Sequence, residues 1–325
     1  MMLMSIETSH DTYIFRSLLE NEKMRGEELS KILGLSKATI SRRIKELNSQ
    51  GFFIDVNESG YSIPTNDKIE NVGIYLKRLT GKIVYNGLYF ESCESSQDIA
   101  EDMAKRGAEE GNLVICGEIK NARGRLGRKW QATKGGLWFS LILRPRSLER
   151  IHLISLAMSY SVSKSIEDVL GLRAQVKWPN DVLINEKKVC GILSEAKIEQ
   201  DRPIYSIVGV GLNANNVIPE ELREIAVSLK EASKREVPIL PVLGRLLYIF
   251  DTEYKNLMEG RVQKVLENWK SRSSTIGKRV RVIFNEEVKE GKAIDIAQDG
   301  ALILLLDSGE KTRIYAGDIS HLFSV

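Results

Sequence analysis

The chain has 325 residues, enough for two or three domains, and its 47 Lys+Arg against 44 Asp+Glu leave a net charge of only +3. Any anion binding must therefore come from local clusters of charge. The three cysteines have no metal or framework spacing and read as reduced core thiols, and His10, His152 and His321 stand too far apart for a histidine metal site or triad. No apolar run reaches membrane-span length and no signal-peptide pattern opens the chain, so a soluble cytoplasmic protein is expected.

Residues 1–65 predict a winged helix-turn-helix. Ile14, Phe15, Leu18 and Leu19 share a helical face over 11–23, and Leu29, Ile32 and Leu33 do so over 27–33. Gly34 supplies a turn, Ser36 an N-cap, and Ile40, Ile44 and Leu47 the buried stripe of a third helix over 37–50. Phe52–Val56, Asn57–Gly60 and Tyr61–Ile63 read as strand, turn, strand. Between Lys31 and Lys45 there are five cations and no acid, as a recognition helix in a major groove requires. Ser36, Lys37, Thr39, Ser41, Arg42 and Arg43 are the candidates to meet phosphates or base edges of operator DNA. A regulatory module with a solvated basic face is the alternative. So small a domain reads one half-site weakly, which implies a homodimer. Residues 66–81 are polar and read as a linker with a short helix over 69–79.

The segment 82–272 alternates strands and helices. Strands are expected at 85–90, 113–116 and 137–143, with helices after Ser95 and over 152–170. Between the second and third of these strands lies Arg123-Gly124-Arg125-Leu126-Gly127-Arg128-Lys129-Trp130. From Lys120 to Lys129 there are five cations and no acid. Guanidinium forks suit phosphate oxygens and glycines admit close backbone approach, so a mobile loop that holds a polyanion is one reading. A solvated surface loop or a nucleic-acid patch is the other. Further on, Lys177-Trp178-Pro179-Asn180-Asp181-Val182-Leu183-Ile184 and Lys188-Val189-Cys190-Gly191-Ile192-Leu193 flank a turn at 185–187. That hairpin keeps Asp181 near Lys188, a carboxylate and an amine able to serve Mg²⁺ and a phosphate. The strand over 204–213 ends Gly209-Val210-Gly211-Leu212-Asn213, flat enough for a ligand to lie on it. Singly, each of these has a structural reading as turn, edge or bulge.

Residues 273–325 form short strands over 276–284, 288–294, 300–306 and 311–315, divided at Asn285-Glu286, Asp299-Gly300 and Ser308-Gly309. They predict a small β-barrel.

Taken together, Arg-Gly-Arg-Leu-Gly-Arg-Lys-Trp, Lys-Trp-Pro-Asn-Asp-Val-Leu-Ile, Lys-Val-Cys-Gly-Ile-Leu and Gly-Val-Gly-Leu-Asn resemble a bifunctional biotin–protein ligase and biotin operon repressor, along nearly the whole chain. The resemblance implies an α+β multidomain chain: the winged helix, a central mixed β-sheet with flanking helices, and a C-terminal SH3-like β-barrel. It implies formation of biotinyl-5′-adenylate from biotin and ATP with Mg²⁺, then transfer to a lysine of a biotin carboxyl carrier protein. It also implies site residues. The loop with Arg123, Gly124, Arg125 and Arg128, and Trp130 after it, closes over the adenylate. Lys188 meets the biotin carboxylate and α-phosphate, and Asp181 helps hold Mg²⁺. Asn180 and Asn213 meet the nucleotide. Gly191, Ile192 and Gly209 line the biotin pocket, and Ser92 meets the ureido ring. Three positions depart from the family pattern beside biotin: Cys93 for Thr, Ile119 for Gln and Ala122 for Gly. These leave open a ligand-sensing repressor that has lost ligase activity or senses a different acid; a lipoate-type ligase is a third reading, against which the complete Lys-Trp-Pro-Asn-Asp and Arg-Gly-Arg stretches count.

Overall fold

The computed structural model describes residues 10–21, 23–284 and 287–321; the expected turn at Asn285-Glu286 lies outside them. The N-terminal unit is α1 (His10–Glu20), α2 (Gly26–Leu33) and α3 (Lys37–Ser49), followed by the hairpin β1 (Asp55–Asn57) and β2 (Gly60–Ser62). Gly34 ends α2 in the left-handed conformation, and Ser36 caps α3 by accepting from Thr39 N–H. The wing is shorter than expected. Phe52, Phe53 and Ile54 are buried without ladder pairing, and the Asn48 side chain supplies a hydrogen bond to Ile54 O at 2.9 Å in its place. These three residues cross the seam to the next unit, so burial outweighs strand formation there.

The segment after it is not a free tether. A 3₁₀ turn at Asn66–Asn71 runs into α4 (Val72–Leu76). Lys68 and the Tyr75 hydroxyl converge on the Asp55 carboxylate, and the Asn66 amide bonds both Val237 O and Ile239 N.

The central unit comprises β3 (Asn86–Phe90), α5 (Ser96–Lys105), β4 (Asn112–Cys116), β5 (Leu137–Leu143), α6 (Ile151–Leu170), β6 (Gln175–Lys177), β7 (Asp181–Ile184), β8 (Lys187–Glu199), β9 (Arg202–Leu212), α7 (Leu229–Ser233), α8 (Ile239–Met258) and α9 (Val262–Lys270). The sheet order is β3-β4-β5-β9-β8-β7-β6, with β3 and β4 parallel and the other pairs antiparallel. It is a mixed sheet with helices on both faces. Leu113 and Ile115 of β4 face the core beneath α6 and α8, whereas Val114 and Cys116 face α5. Every residue of β5 is buried, as a strand covered on both faces requires. Ser159, Ser161, Ser163 and Ser165 of α6 are fully buried and donate their hydroxyl protons to carbonyls, as Ser161 does to Ala157 O at 2.7 Å.

The cysteine expectation is corrected. Cys93 and Cys116 are joined as a disulfide, with Cα atoms 6.2 Å apart, while Cys190 is free and buried. Parallel pairing of β3 with β4, continued by the Cys93–Ile119 bridge, brings the two together across a sequence separation of 23. No helix among the described residues is long and apolar enough to cross a membrane.

The C-terminal unit is one antiparallel sheet of β10 (Arg279–Phe284), β11 (Glu287–Ile296), β12 (Leu302–Leu306), β13 (Lys311–Ile314) and β14 (Asp318–His321), in the order β13-β12-β11-β10-β14. It is fastened to the central unit by Trp178, whose backbone N–H donates to Thr275 Oγ1 at 3.1 Å and whose indole donates to Gly300 O at 3.0 Å. The winged helix is fastened by Gly51 lying directly on Gly244 of α8. Beside that contact Arg245 pairs with Asp168 at 2.8 Å and covers the Phe52 ring.

One buried acid has a consequence for stability. Burial pushes the Glu253 carboxyl of α8 up to about 7 from its ordinary 4.5, against an opposing hydrogen bond from Asn268, and its Oε2 has no partner. The folded chain thus holds this proton more tightly than the unfolded one. The contribution is greatest below pH 4.5 and is lost as pH rises through 7. Glu253→Gln is expected to raise Tm at pH 8 by roughly 2–4 °C and to change it little at pH 5; thermal melts at both values check this.

Candidate active site

A cavity of about 420 Å³ opens over the middle of the central sheet, between the ends of β5, β8 and β9 and the basic segment after β4. That segment is a pinned hairpin. Trp130 N–H donates to Ala122 O at 3.0 Å and Gly124 N–H to Arg128 O at 2.7 Å. Its tip is a 3₁₀ turn at Arg125–Gly127, where Leu126 and Gly127 both take positive φ. The expected mobile loop is thus closed by its own backbone, because the glycines permit the tight return.

Two of the three guanidinium groups at the hairpin already hold acids. Arg123 pairs with Asp98 at 2.6 Å and lies 3.5 Å from Glu195. Burial pulls its pKa down, but the hydrogen bond with Asp98 and the two nearby charges leave it above the ordinary arginine value. Arg128 makes a two-pronged pair with Asp318 of β14. Arg125 is the more buried and donates to Asn180 Oδ1 at 3.1 Å; burial lowers its pKa, partly offset by Asp318 and Asp181. Such a group seeks an anion.

Opposite the hairpin, the β7–β8 turn brings Lys188 Nζ to 2.7 Å from Asp181 Oδ1. That oxygen is buried and accepts no hydrogen bond, and the Lys188 ammonium balances its charge. Lys188 also stands over the Trp130 ring, 5.1 Å from its centre. Gly191 and Gly211 make room for this stack: a Cβ on Gly191 would lie 3.1 Å from Lys188 Cε and one on Gly211 2.6 Å from Trp130 Nε1. Asn180 Nδ2 donates to Ile192 O at 2.6 Å, which fixes its oxygen toward Arg125.

Lys188, Asp181, Arg123, Gly124, Arg125, Arg128 and Trp130 all line this cavity, as do Asn180, Gly191, Ile192, Gly209 and Asn213. Ile119 and Ala122 line it too. Ser92 and Cys93 do not: Ser92 is exposed and the Cys93 sulfur is tied to Cys116. The wall at that end is instead Ser95, Ser96 and Gln97, a few residues further on at the start of α5. Ser95 caps the helix by accepting from Asp98 N–H at 3.1 Å. The cap turns the next two side chains inward, where Ser96 Oγ meets Ser140 Oγ at 2.9 Å and Gln97 Nε2 donates to Glu195 at 2.8 Å. Gly209 is needed here, since any Cβ on it would overlap Gln97 Oε1. The signal in the sequence is the Ser-x-x-Asp cap pattern ahead of Ile99 and Met103. Asp318 is a second site residue that sequence patterns alone do not mark.

On the winged helix, α3 presents Ser36, Lys37, Ser41 and Arg42 to solvent, with Lys37 paired to Glu27. Thr39 sits in the first turn of α3, where its backbone N–H donates to Ser36 Oγ. Arg43 is half-buried and paired with Asp11 of α1 at 2.7 Å. Helical spacing puts position 43 on the flank of the buried stripe, so it meets α1. Among the described residues no cluster of three or more His, Cys, Asp or Glu side chains forms a ready metal site.

Comparison with known proteins matches three stretches of the chain to family models: an HTH domain at residues 12–62, the biotin/lipoate A/B protein ligase family at 89–213, and the biotin protein ligase C-terminal domain at 275–322. The bifunctional ligase/repressor BirA of Bacillus subtilis (strain 168) is 33% identical over 306 residues, 92% of this chain and 94% of that one. The protein of the same name from Escherichia coli (strain K12) is 26% identical over 89% and 90% of the two chains. Among solved structures, the biotin protein ligase from Aquifex aeolicus in complex with biotin and ATP superposes with a TM-score of 0.65 at 29% identity, covering 74% of this chain and 99% of that one.

Proposed function

The chain belongs to the biotin–protein ligase family, among its bifunctional ligase/repressor members, and from that premise we propose how its single chain carries out both activities. It is an ATP-dependent ligase that makes biotinyl-5′-adenylate and passes the biotinyl group to a lysine of a biotin carboxyl carrier protein, and it is a DNA-binding repressor of biotin genes. The observation that carries the site assignment is the order of groups along β9. Gln97 lies over Gly209, the Lys188, Arg125 and Asn180 cluster over the middle, and Asn213 at the end. Four residues of strand span roughly 13 Å, the reach of one adenylate.

In this reading Gln97 and Ser96 meet the ureido ring, and Ile192 and Gly209 flank the bicycle. The biotin carboxylate oxygen attacks the α-phosphorus and pyrophosphate leaves. Negative charge grows on the phosphoryl oxygens, and Lys188 and Arg125 stabilise it. No protein nucleophile is needed. Asp181 would help hold Mg²⁺, which would supply charge neutralisation of the triphosphate, once the phosphates draw the Lys188 ammonium away from it. The paired hairpin excludes water from the mixed anhydride. In the second step the acceptor lysine amine attacks the acyl carbon, loses its proton, and AMP leaves. A cytoplasmic location follows from these substrates. The winged helix reads one half of an operator through Lys37, Ser41 and Arg42, so the repressing form is a homodimer.

The test is pyrophosphate release from ATP and Mg²⁺ with biotin, lipoate or octanoate, followed by labelling of a carrier domain. Biotin alone is expected to support both. Release with lipoate in its place would make this a lipoate-type ligase, and operator binding without any release would leave a ligand-sensing repressor. The adenylate is expected to favour the DNA-binding dimer, and a gel shift unchanged by biotin plus ATP would remove that control and leave the ligase.

A further inference from the structure

The far end of the cavity holds a buried acceptor that finds no partner among the described residues. Asn216 is 4% exposed and forms part of the cavity wall. Its Nδ2 donates to Asn213 Oδ1 at 3.1 Å, and its own Oδ1 has no partner. The turn that presents it is held firmly. Asn213 N–H donates to Val189 O and Leu229 N–H to Asn213 O, each at 2.9 Å. Asn215 N–H donates to Gly135 O at 2.7 Å, and the Asn215 side chain exchanges two hydrogen bonds with Val237. A side-chain oxygen fixed in this way and left without a donor carries a desolvation cost that only a ligand can offset.

Resting on the reading that this cavity takes ATP, we propose that Asn216 is a specificity-determining residue for the base, selecting adenine by accepting a hydrogen bond from its exocyclic amine. The Asn216 amide already occupies the oxygen of Asn213, so the group Asn213 has left to offer is its Nδ2. The two side chains therefore present an acceptor next to a donor. Adenine offers the complement, a donating 6-amino group next to an accepting ring nitrogen. Guanine and hypoxanthine place an oxygen at position 6, which would face Asn216 Oδ1 acceptor to acceptor. The ureido N–H groups of biotin are donors too, but they belong to the Gln97 end, and the cationic cluster lies between.

The experiment titrates the full chain by calorimetry with ATP, purine riboside triphosphate (which lacks the 6-amino group) and inosine triphosphate, each with Mg²⁺ and without biotin. Biotin-dependent pyrophosphate release with ATP is measured on the same preparation. Wild type is expected to bind the two analogues about 10–100-fold more weakly than ATP. Asn216→Ala is expected to bind ATP about 10-fold more weakly and to lose its preference for ATP over purine riboside triphosphate. Equal binding of ATP and purine riboside triphosphate by wild type overturns the proposal, and this comparison does not depend on the variant folding. So does an Asn216→Ala chain that keeps the full preference. Absence of pyrophosphate release with biotin and ATP overturns instead the reading of the site.

Discussion

Lys188→Ala is expected to lower kcat/KM for biotin-dependent pyrophosphate release by about 10²–10³, the cost of removing one preorganised donor from a developing oxyanion. Lys188 is the cation whose position is most firmly set. It sits on a strand, 2.7 Å from Asp181 and over the Trp130 ring, with Gly191 leaving room for its chain. Its removal also leaves the half-buried Asp181 carboxylate facing the phosphates without compensation, which adds repulsion to lost attraction. Arginine restores the charge but not the compact ammonium, and Lys188→Arg should recover less than about tenfold. Biotin affinity measured without ATP separates the two contributions, since it falls only if the ammonium already pairs with the biotin carboxylate in the ground state. Wild-type labelling of the carrier by Lys188→Ala would refute the role.

Gly51→Ala should have the opposite profile: operator binding falls by about tenfold or more while pyrophosphate release stays within about twofold, because the strain is confined to the seam with α8. Gly51 takes φ +89°, and a methyl group there would overlap the carbonyl of Gly244 in α8. Backbone on α8 cannot rotate aside as a side chain can. Overpacking and left-handed strain together cost on the order of 2–4 kcal/mol. That cost falls on the seam where Arg245 reaches Gln50 O and covers Phe52. The winged helix would then separate from α8, and limited proteolysis near 51–54 should accelerate. Unchanged proteolysis and DNA affinity would show that the seam tolerates the methyl.

Local patterns carried most of the fold. The three helices of the winged helix follow from apolar spacing, Gly34 and Ser36, and β5 falls at the residues its apolar run marks, Leu137–Leu143. The 181–193 hairpin followed from its turn, and with it the closeness of Asp181 and Lys188. What escaped was set by tertiary neighbours. Ser92-Cys93 and Ser95-Ser96 are similar strings, and only the cap geometry of α5 decides which faces the cavity. The Cys93–Cys116 bond depends on which strands pair. Arg43 looks like its neighbours until α1 supplies Asp11. β14 is four residues long, too short for any periodicity, yet it brings Asp318 to the site.

The carboxylates that hold the basic hairpin, Asp98, Glu195 and Asp318, also determine what may enter. A cell is crowded with inorganic phosphate, free nucleotides and acidic metabolites, and bare guanidinium groups would collect them indiscriminately. On the proposed reading, an anion that comes to Arg123 or Arg128 must displace a tethered acid, whereas Arg125, which donates to Asn180, meets it without that exchange. A molecule gripped at both ends of the cavity presents its phosphate at high effective concentration and wins the exchange. On that reading the hairpin selects by competition, with the counter-acids of Arg123 and Arg128 helping to set the threshold.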